Sequence, residues 1–323
     1  MKILVTGVAG FIGFSLADNL LKDGHSVFGI DNLNDYYSVK LKLKRLKILK
    51  KNKSFIFKKI DLKNKKSINY LKKIKKIDVI YHFAAQAGVR FTHLNPEKYF
   101  DDNIKSFINL LELVKEKKNA KFFFASSSSV YGDQKKYPLK ENFQTYEKNI
   151  YGFTKKINEI MCESYSRIYN IKIIGFRFFT VFGQWGRPDM LIFKYLKMNL
   201  DKKKFFLNSN GKHYRDFTYI DDVVNILKKL LKSKVKKNYE IYNVCSNKPQ
   251  KIIKVIRKIN QFSKNFKYIN SFSKELNKVE VNKTHGDNKK IIKQIGYIRF
   301  TDFNIALKKT IDWYLINNIN KIT

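Results

Sequence analysis

Within GVAGFIG, Gly7 to Gly13, three glycines (Gly7, Gly10 and Gly13) stand between an apolar run, Lys2 to Thr6, and a stretch of helical spacing, Phe11 to Lys22. Glycines in that position let the backbone approach a pyrophosphate, and the start of the following helix offers unpaired N–H donors at its positive dipole end. A second apolar run, Ser26 to Ile30, closes on Asp31, 24 residues after Gly7. A carboxylate there can accept both hydroxyls of an adenosine ribose and repels a 2′-phosphate, so the turn is expected to take NAD rather than NADP. Asp61 follows a third strand and admits two readings, an adenine contact or a helix cap.

Three Tyr-x-x-x-Lys pairs occur, Tyr36/Lys40, Tyr131/Lys135 and Tyr151/Lys155, which is what 19 Tyr among so many Lys supply by chance. Position therefore decides. Tyr36 falls in the loop after the second strand and Tyr131 in a turn with Gly132 and Asp133, whereas Tyr151 and Lys155 open an amphipathic helix, where i and i+4 share a face. Upstream lies ASSSSVYG, Ala125 to Gly132. Its serines suit a crowded sheet edge, and they also put hydroxyls where doubly wound sheets bind ligands. A lysine and a nicotinamide cation would both lower the Tyr151 pKa, so that its phenolate takes a proton from a hydroxyl while the carbon gives hydride; Ser127 would hydrogen-bond the same oxygen.

The elements that must position these groups read as a doubly wound α/β fold. Apolar runs without alternation at Phe55 to Ile60, Val79 to Phe83, Phe122 to Ser126 and Lys172 to Phe178 are separated by helical patterns, including Ile104 to Lys117 and Phe153 to Tyr169. That is the signature of a parallel sheet buried on both faces. Beyond about residue 180 come loops such as GQWGRPDM, a hairpin-like FFLNSNGKHY, and helices expected at Asp222 to Lys232, Pro249 to Phe262 and Phe303 to Ile316. The expected division is residues 1–180 for the nucleotide fold and 181–323 for a smaller, interleaved substrate lobe.

Composition narrows the partners. The 323 residues carry a formal net charge of +39, yet only eight of the 66 basic residues are Arg. Readers of phosphates and base edges favour the bidentate guanidinium, and the Lys excess runs through the whole chain. The charge is therefore read as a Lys-rich surface, with no specific nucleic-acid partner. Cys162 and Cys245 lie far apart, without metal-ligand spacing, which speaks against a disulfide scaffold or a structural metal. MKILVTG begins as strand and turn, which leaves no room for a signal peptide, and no apolar run approaches the ~18 residues of a membrane span. A cytoplasmic protein is expected.

Taken together, GVAGFIG, HFAAQAGVR (His82 to Arg90), Asn103, ASSSSVYG, YGFTK, RFFTVFG (Arg177 to Gly183) and RDFTYIDD (Arg215 to Asp222) resemble the extended short-chain dehydrogenase/reductase family, specifically its nucleotide-sugar epimerases. They follow the family's order over about residues 1–225. DNLNDYY (Asp31 to Tyr37) and GQWGRPDM (Gly183 to Met190) are similar to segments of UDP-glucuronate 4-epimerases. The resemblance implies a tightly bound NAD and inversion at C4 of a UDP-sugar through a 4-keto intermediate. It assigns catalysis to Ser127, Tyr151 and Lys155. Cofactor contacts fall to Gly7, Gly10, Phe11, Ile12, Gly13, Asp31, Asn32, Asp61, Leu62, Phe83, Ala84, Ala85 and Asn103, besides Tyr151 and Lys155. The UDP-sugar falls to Arg90, Ser127, Ser128, Ser129, Thr180, Arg187 and Arg215, with Ser128, Ser129 and Thr180 on the sugar carboxylate. A loop salt bridge is the alternative reading of Arg187, and helix capping the reading of Asp221 and Asp222. With Arg177, three of these arginines make four in ligand-facing motifs.

The resemblance fades after residue 225. VEVNKT (Val279 to Thr284) has Glu280 where the family shows Asp, and Asn277 stands where an Arg is common. Homodimers through helices like Ile104 to Lys117 and Phe153 to Tyr169 are the family's habit. Competing readings are an epimerase of neutral UDP-sugars, a UDP-glucuronate decarboxylase, and a basic scaffold on an inactive fold; intact Ser127, Tyr151 and Lys155 weigh against the last.

Overall fold

The computed structural model describes residues 1–89, 92, 95–263 and 280–323, together with the backbone of 270–273. The first half alternates strand and helix: β1 Lys2–Thr6, α1 Phe11–Lys22, β2 Ser26–Asp31, α2 Val39–Leu49, β3 Phe55–Lys59, α3 Lys65–Lys72 and β4 Val79–His82. It continues with α4 Pro96–Phe100, a π-helical turn Asp101–Lys105, α5 Ser106–Glu116, β5 Lys121–Ser127, α6 Ile150–Tyr169 and β6 Ile173–Phe178. The second half comprises β7 Thr180–Phe182, α7 Leu191–Leu200, β8 Phe205–Asn208, β9 Tyr214–Tyr219, α8 Ile220–Lys232, β10 Tyr239–Val244 and β11 Pro249–Lys251. It ends with α9 Ile252–Phe262, β12 Asn270–Ser273, α10 Lys289–Ile295 and α11 Phe303–Ile316.

Seven strands form one parallel sheet in the order β10-β6-β5-β4-β1-β2-β3. Their unalternating apolar character has its reason here: β4 and β6 are buried at every residue, because helices cover both faces. Phe14 and Leu20 of α1 and Val223 and Leu227 of α8 close one face. Leu71 of α3, Leu111 of α5 and Cys162 of α6 close the other. The strand order reverses between β1 and β4, which opens a crevice at their carboxyl ends. β10 comes from the second half of the chain and pairs with β6 along its whole length. Two small sheets, β11-β9-β7 and β12-β8, build the rest.

Four expectations change. FFLNSNGKHY is not a hairpin: its turn is real, with Asn210 and Gly211 at positive φ, but β8 pairs in parallel with β12 while β9 pairs with β7 and β11. Pro249 begins an edge strand, which tolerates its missing donor, and the helix starts at Ile252. The helix of Tyr151 starts earlier than Phe153, at Ile150, because the Asn149 side chain caps it by accepting from Gly152 N at 2.8 Å. Asp222 is no cap; it accepts from Thr301 N and Oγ1, at 3.0 and 2.9 Å, and ties α8 to the chain before α11.

Candidate active site

A cleft follows the carboxyl edge of the large sheet, from Asp31 and Asp61 at one end to Ser127, Tyr151 and Arg187 at the other. The glycine turn forms its floor. Gly7 has φ +68°, and a Cβ there would lie 2.6 Å from the Ala84 backbone nitrogen; one on Gly13 would lie 2.3 Å from the Gly7 carbonyl. Gly10 begins α1 without any side-chain cap, so the first N–H groups of the helix stay available to an anion. Asp31 accepts from Ala9 N at 3.1 Å and Leu33 N at 2.8 Å, which aims the carboxylate along the cleft wall. A dinucleotide fits this cradle. Gly7, Gly10, Phe11, Ile12, Gly13, Asp31, Asn32, Asp61, Leu62, Phe83, Ala84, Ala85, Tyr151 and Lys155 all line the cleft.

Asn103, expected among them, is not in the lining. It sits in the π-helical turn. From there it accepts from Gln86 N at 2.8 Å and donates to Gln86 O at 3.0 Å and to the Thr154 hydroxyl at 3.1 Å. Its amide therefore joins the loop after β4 to the helix that carries Tyr151.

At the reactive end Tyr151 occupies the first turn of α6, where the helix dipole favours a negative charge. Burial raises its pKa, while the positive charge of Arg187 and a hydrogen bond with Ser127 pull the other way. Lys155, one turn along, is almost wholly buried. Its Nζ lies 5.9 Å from the centre of the Tyr151 ring, and burial brings its pKa down to about 8. His82 behind it is also buried, and burial and the Lys155 charge keep its pKa low. The Ser127 hydroxyl donates to Ser129 Oγ and accepts from Ser129 N, both at 3.1 Å, so Ser128 and Ser129 curl over the end of β5 in a tight turn.

The anion-binding expectations divide. Arg187 lines the cleft and also makes the loop salt bridge: its Nε and Nη2 grip Asp189 at 3.0 and 2.5 Å. Burial pushes the Asp189 carboxyl up, but the Arg187 charge outweighs it and leaves the pKa low. The Tyr36 hydroxyl donates to Asp189 Oδ2 at 3.4 Å. Thr180 borders a small apolar hollow beside Arg187 and Met190. Arg215 stands outside the cleft lining. It donates to Tyr214 O at 2.8 Å and approaches Glu280 at 3.7 Å, so the departure at position 280 keeps a carboxylate near this arginine. Arg90 and Asn277 lie outside the described residues.

Arg177, expected in a ligand-facing motif, is not in the cleft lining. It is buried against Glu159, Nε to Oε1 at 2.9 Å and Nη2 to Oε2 at 2.8 Å, and Ser126 Oγ donates to the same carboxylate at 2.6 Å. Glu159, Asp189, Lys42 and Arg45 are additions that sequence reasoning missed. The first two carried a signal, since Glu159 follows Lys155 on the same helix face and Asp189 stands two residues after Arg187. Lys42, which lines the cleft and donates to Asn34 O and Oδ1 at 2.6 and 2.7 Å, is hidden in KLKLKRLK, where only burial separates it from its neighbours.

The model of the NAD dependent epimerase/dehydratase family matches residues 3–245. The chain is 37% identical to a UDP-glucuronate 4-epimerase of Thermodesulfobacterium geofontis over 96% of this chain and 95% of that one. It is likewise 37% identical to Protein CapI of Staphylococcus aureus, over 98% of each. Among solved structures, UDP-glucuronic acid 4-epimerase from Bacillus cereus, in complex with UDP-glucuronic acid and NAD, superposes with a TM-score of 0.91. It is 32% identical, and 98% of this chain and 100% of that chain are covered. The chain belongs to the NAD-dependent epimerase/dehydratase family.

Proposed function

We propose that the protein is a UDP-glucuronate 4-epimerase that interconverts UDP-glucuronate and UDP-galacturonate. The observation that carries this reading is the Arg187 guanidinium, held by Asp189, in the same cleft as Tyr151. A neutral sugar has no need of a fixed cation beside its reacting hydroxyl, whereas a uronate does. The likeness to uronate epimerases over nearly the whole chain supports the same substrate.

NAD, held by the glycine turn, Asp31 and the Phe83–Ala85 strand end, supplies a reversible hydride acceptor. The chain's own residues do the proton chemistry. Tyr151, ionised with help from Lys155 and the helix terminus, takes the proton of the 4-hydroxyl, and Ser127 hydrogen-bonds that oxygen in both protonation states. A uronate oxidised at C4 is a β-keto acid and loses carbon dioxide when its carboxylate bond aligns with the carbonyl. Ser128, Ser129, Thr180 and Arg187 hold the carboxylate out of that alignment, Arg215 serves the diphosphate, and Arg90 is a further contact of the nucleotide sugar. In this reading residues 1–180 form the cofactor domain and 181–323, apart from β10, form mainly the nucleotide-sugar lobe, to which the first domain adds Ser127, Ser128, Ser129 and Thr180. The purified holoenzyme is expected to epimerise UDP-glucuronate, and Tyr151→Phe to lose at least about 10²-fold in kcat; a Tyr151→Phe variant with wild-type turnover would refute the assignment.

The working unit in this proposal is a cytoplasmic homodimer. Ile108 of α5 and Phe153, Ile160 and Ile168 of α6 are exposed, an apolar face of the kind that marks an interface. Light scattering is expected to give a dimer for the wild type and a monomer for Phe153→Lys/Ile160→Lys. Both cysteines are buried and free, in keeping with a reducing compartment.

A further inference from the structure

Arg45, in the middle of α2, is completely buried. Its guanidinium donates from Nη1 to Ala9 O at 2.7 Å and to the Tyr37 hydroxyl at 2.8 Å, and from Nη2 to Trp185 O at 2.6 Å and Gly186 O at 3.2 Å. Nε has no partner, and among the described residues no carboxylate pairs with it. A buried cation served only by neutral acceptors is costly to place, and an apolar side chain would fill a helix-to-sheet contact more cheaply. Packing therefore does not explain an arginine here; the four acceptors do. They belong to three segments that are separate in sequence: the nucleotide turn, the DNLNDYY loop, and the loop after β7, in which Arg187 directly follows Gly186. That last loop needs a restraint. Trp185 has φ +61°, a conformation that a bulky residue holds only when its surroundings fix it.

We propose that Arg45 is a positioning residue, a buried strut that fixes the Trp185–Arg187 backbone to the nucleotide turn and so sets where the Arg187 fork stands relative to the cofactor. Lysine could not replace it, since one ammonium cannot span both loops from a single planar group. The inference rests on the uronate reading only in that Arg187 then meets the sugar carboxylate.

Trp185 and Trp313 are the chain's two tryptophans, and their rings are 4.9 Å apart. Intrinsic tryptophan emission of the holoenzyme thus reports this loop, whatever the substrate. Arg45→Lys and Arg45→Met are expected to shift that emission. They should also lower kcat/KM for UDP-glucuronate about ten-fold, mainly through KM, as a small misplacement of a binding group does. In an Arg187→Met background the same changes should cost less than about two-fold. Unchanged emission in folded Arg45→Lys overturns the strut. So does a loss that is confined to kcat or that multiplies fully with Arg187→Met, because a general loss of folded enzyme behaves that way. If Arg45→Met fails to fold, Arg45→Lys alone carries both readouts. A wild type inactive on UDP-glucuronate refutes the functional reading instead, and the emission of Arg45→Lys still decides the strut.

Discussion

Tyr151 is poised by opposing influences: burial disfavours its phenolate, while Arg187 and Ser127 favour it. Removing the Arg187 charge destabilises the phenolate, so the Tyr151 pKa must rise and the acidic limb of the kcat/KM pH profile must move to higher pH. We expect Arg187→Met to shift that limb to higher pH, and Arg187→Lys to shift it less. A limb that stays or moves to lower pH would show that Arg187 does not act on the base. Lys155 is set differently. With its pKa down to about 8, it loses charge as pH rises through that value, so the support that the proposed mechanism asks of it fades there. Lys155→Met is expected to lower kcat by about 10²-fold or more and to leave a profile without that feature, measurable in the same assay.

Helix α6 organises the reactive end. Its cap at Asn149 places Tyr151 in the first turn, Lys155 lies one turn deeper, and Glu159 follows on the same face, locked to Arg177 of β6 and Ser126 of β5. Deleting one member of a buried pair leaves a charge without a partner, so Glu159→Ala should lower the unfolding free energy by about 3–5 kcal/mol, as measured by urea denaturation of the holoenzyme. A loss below about 1 kcal/mol, the range of exposed pairs, would mean that the pair is not buried in solution. This element also shows what sequence could and could not say. GVAGFIG, Asp31 and the Tyr151/Lys155 pair were legible because local spacing and flanking elements carry their meaning. The roles of Asn103 and Arg177 were not, because each depends on a partner more than fifteen residues away. FFLNSNGKHY misled for the same reason: its turn is local, but the strand that pairs with β8 lies beyond residue 269. Arg45 and Lys42 were invisible because a Lys-rich surface gives no contrast to the two cations that fold inward.

At the scale of the whole molecule, the net charge of +39 surrounds a cleft whose directional cations are few. Of the arginines in ligand-like motifs, Arg177 is spent on the fold, and Arg187 is shared with Asp189. The lysines supply a diffuse positive field, which raises the local concentration of an anionic substrate and weakens with salt. The KM for UDP-glucuronate should therefore rise a few-fold, by about two to ten times, between 0.05 and 0.5 M salt, with kcat nearly constant; steady-state kinetics at graded ionic strength checks this, and a salt-independent KM would remove the field from the account. The central claim is the reaction itself, and proton NMR of UDP-glucuronate incubated with the holoenzyme tests it most directly. The account predicts the signals of UDP-galacturonate growing to equilibrium with no other sugar nucleotide. A UDP-pentose with released carbon dioxide, or unchanged UDP-glucuronate from an enzyme that turns over UDP-glucose, would contradict it.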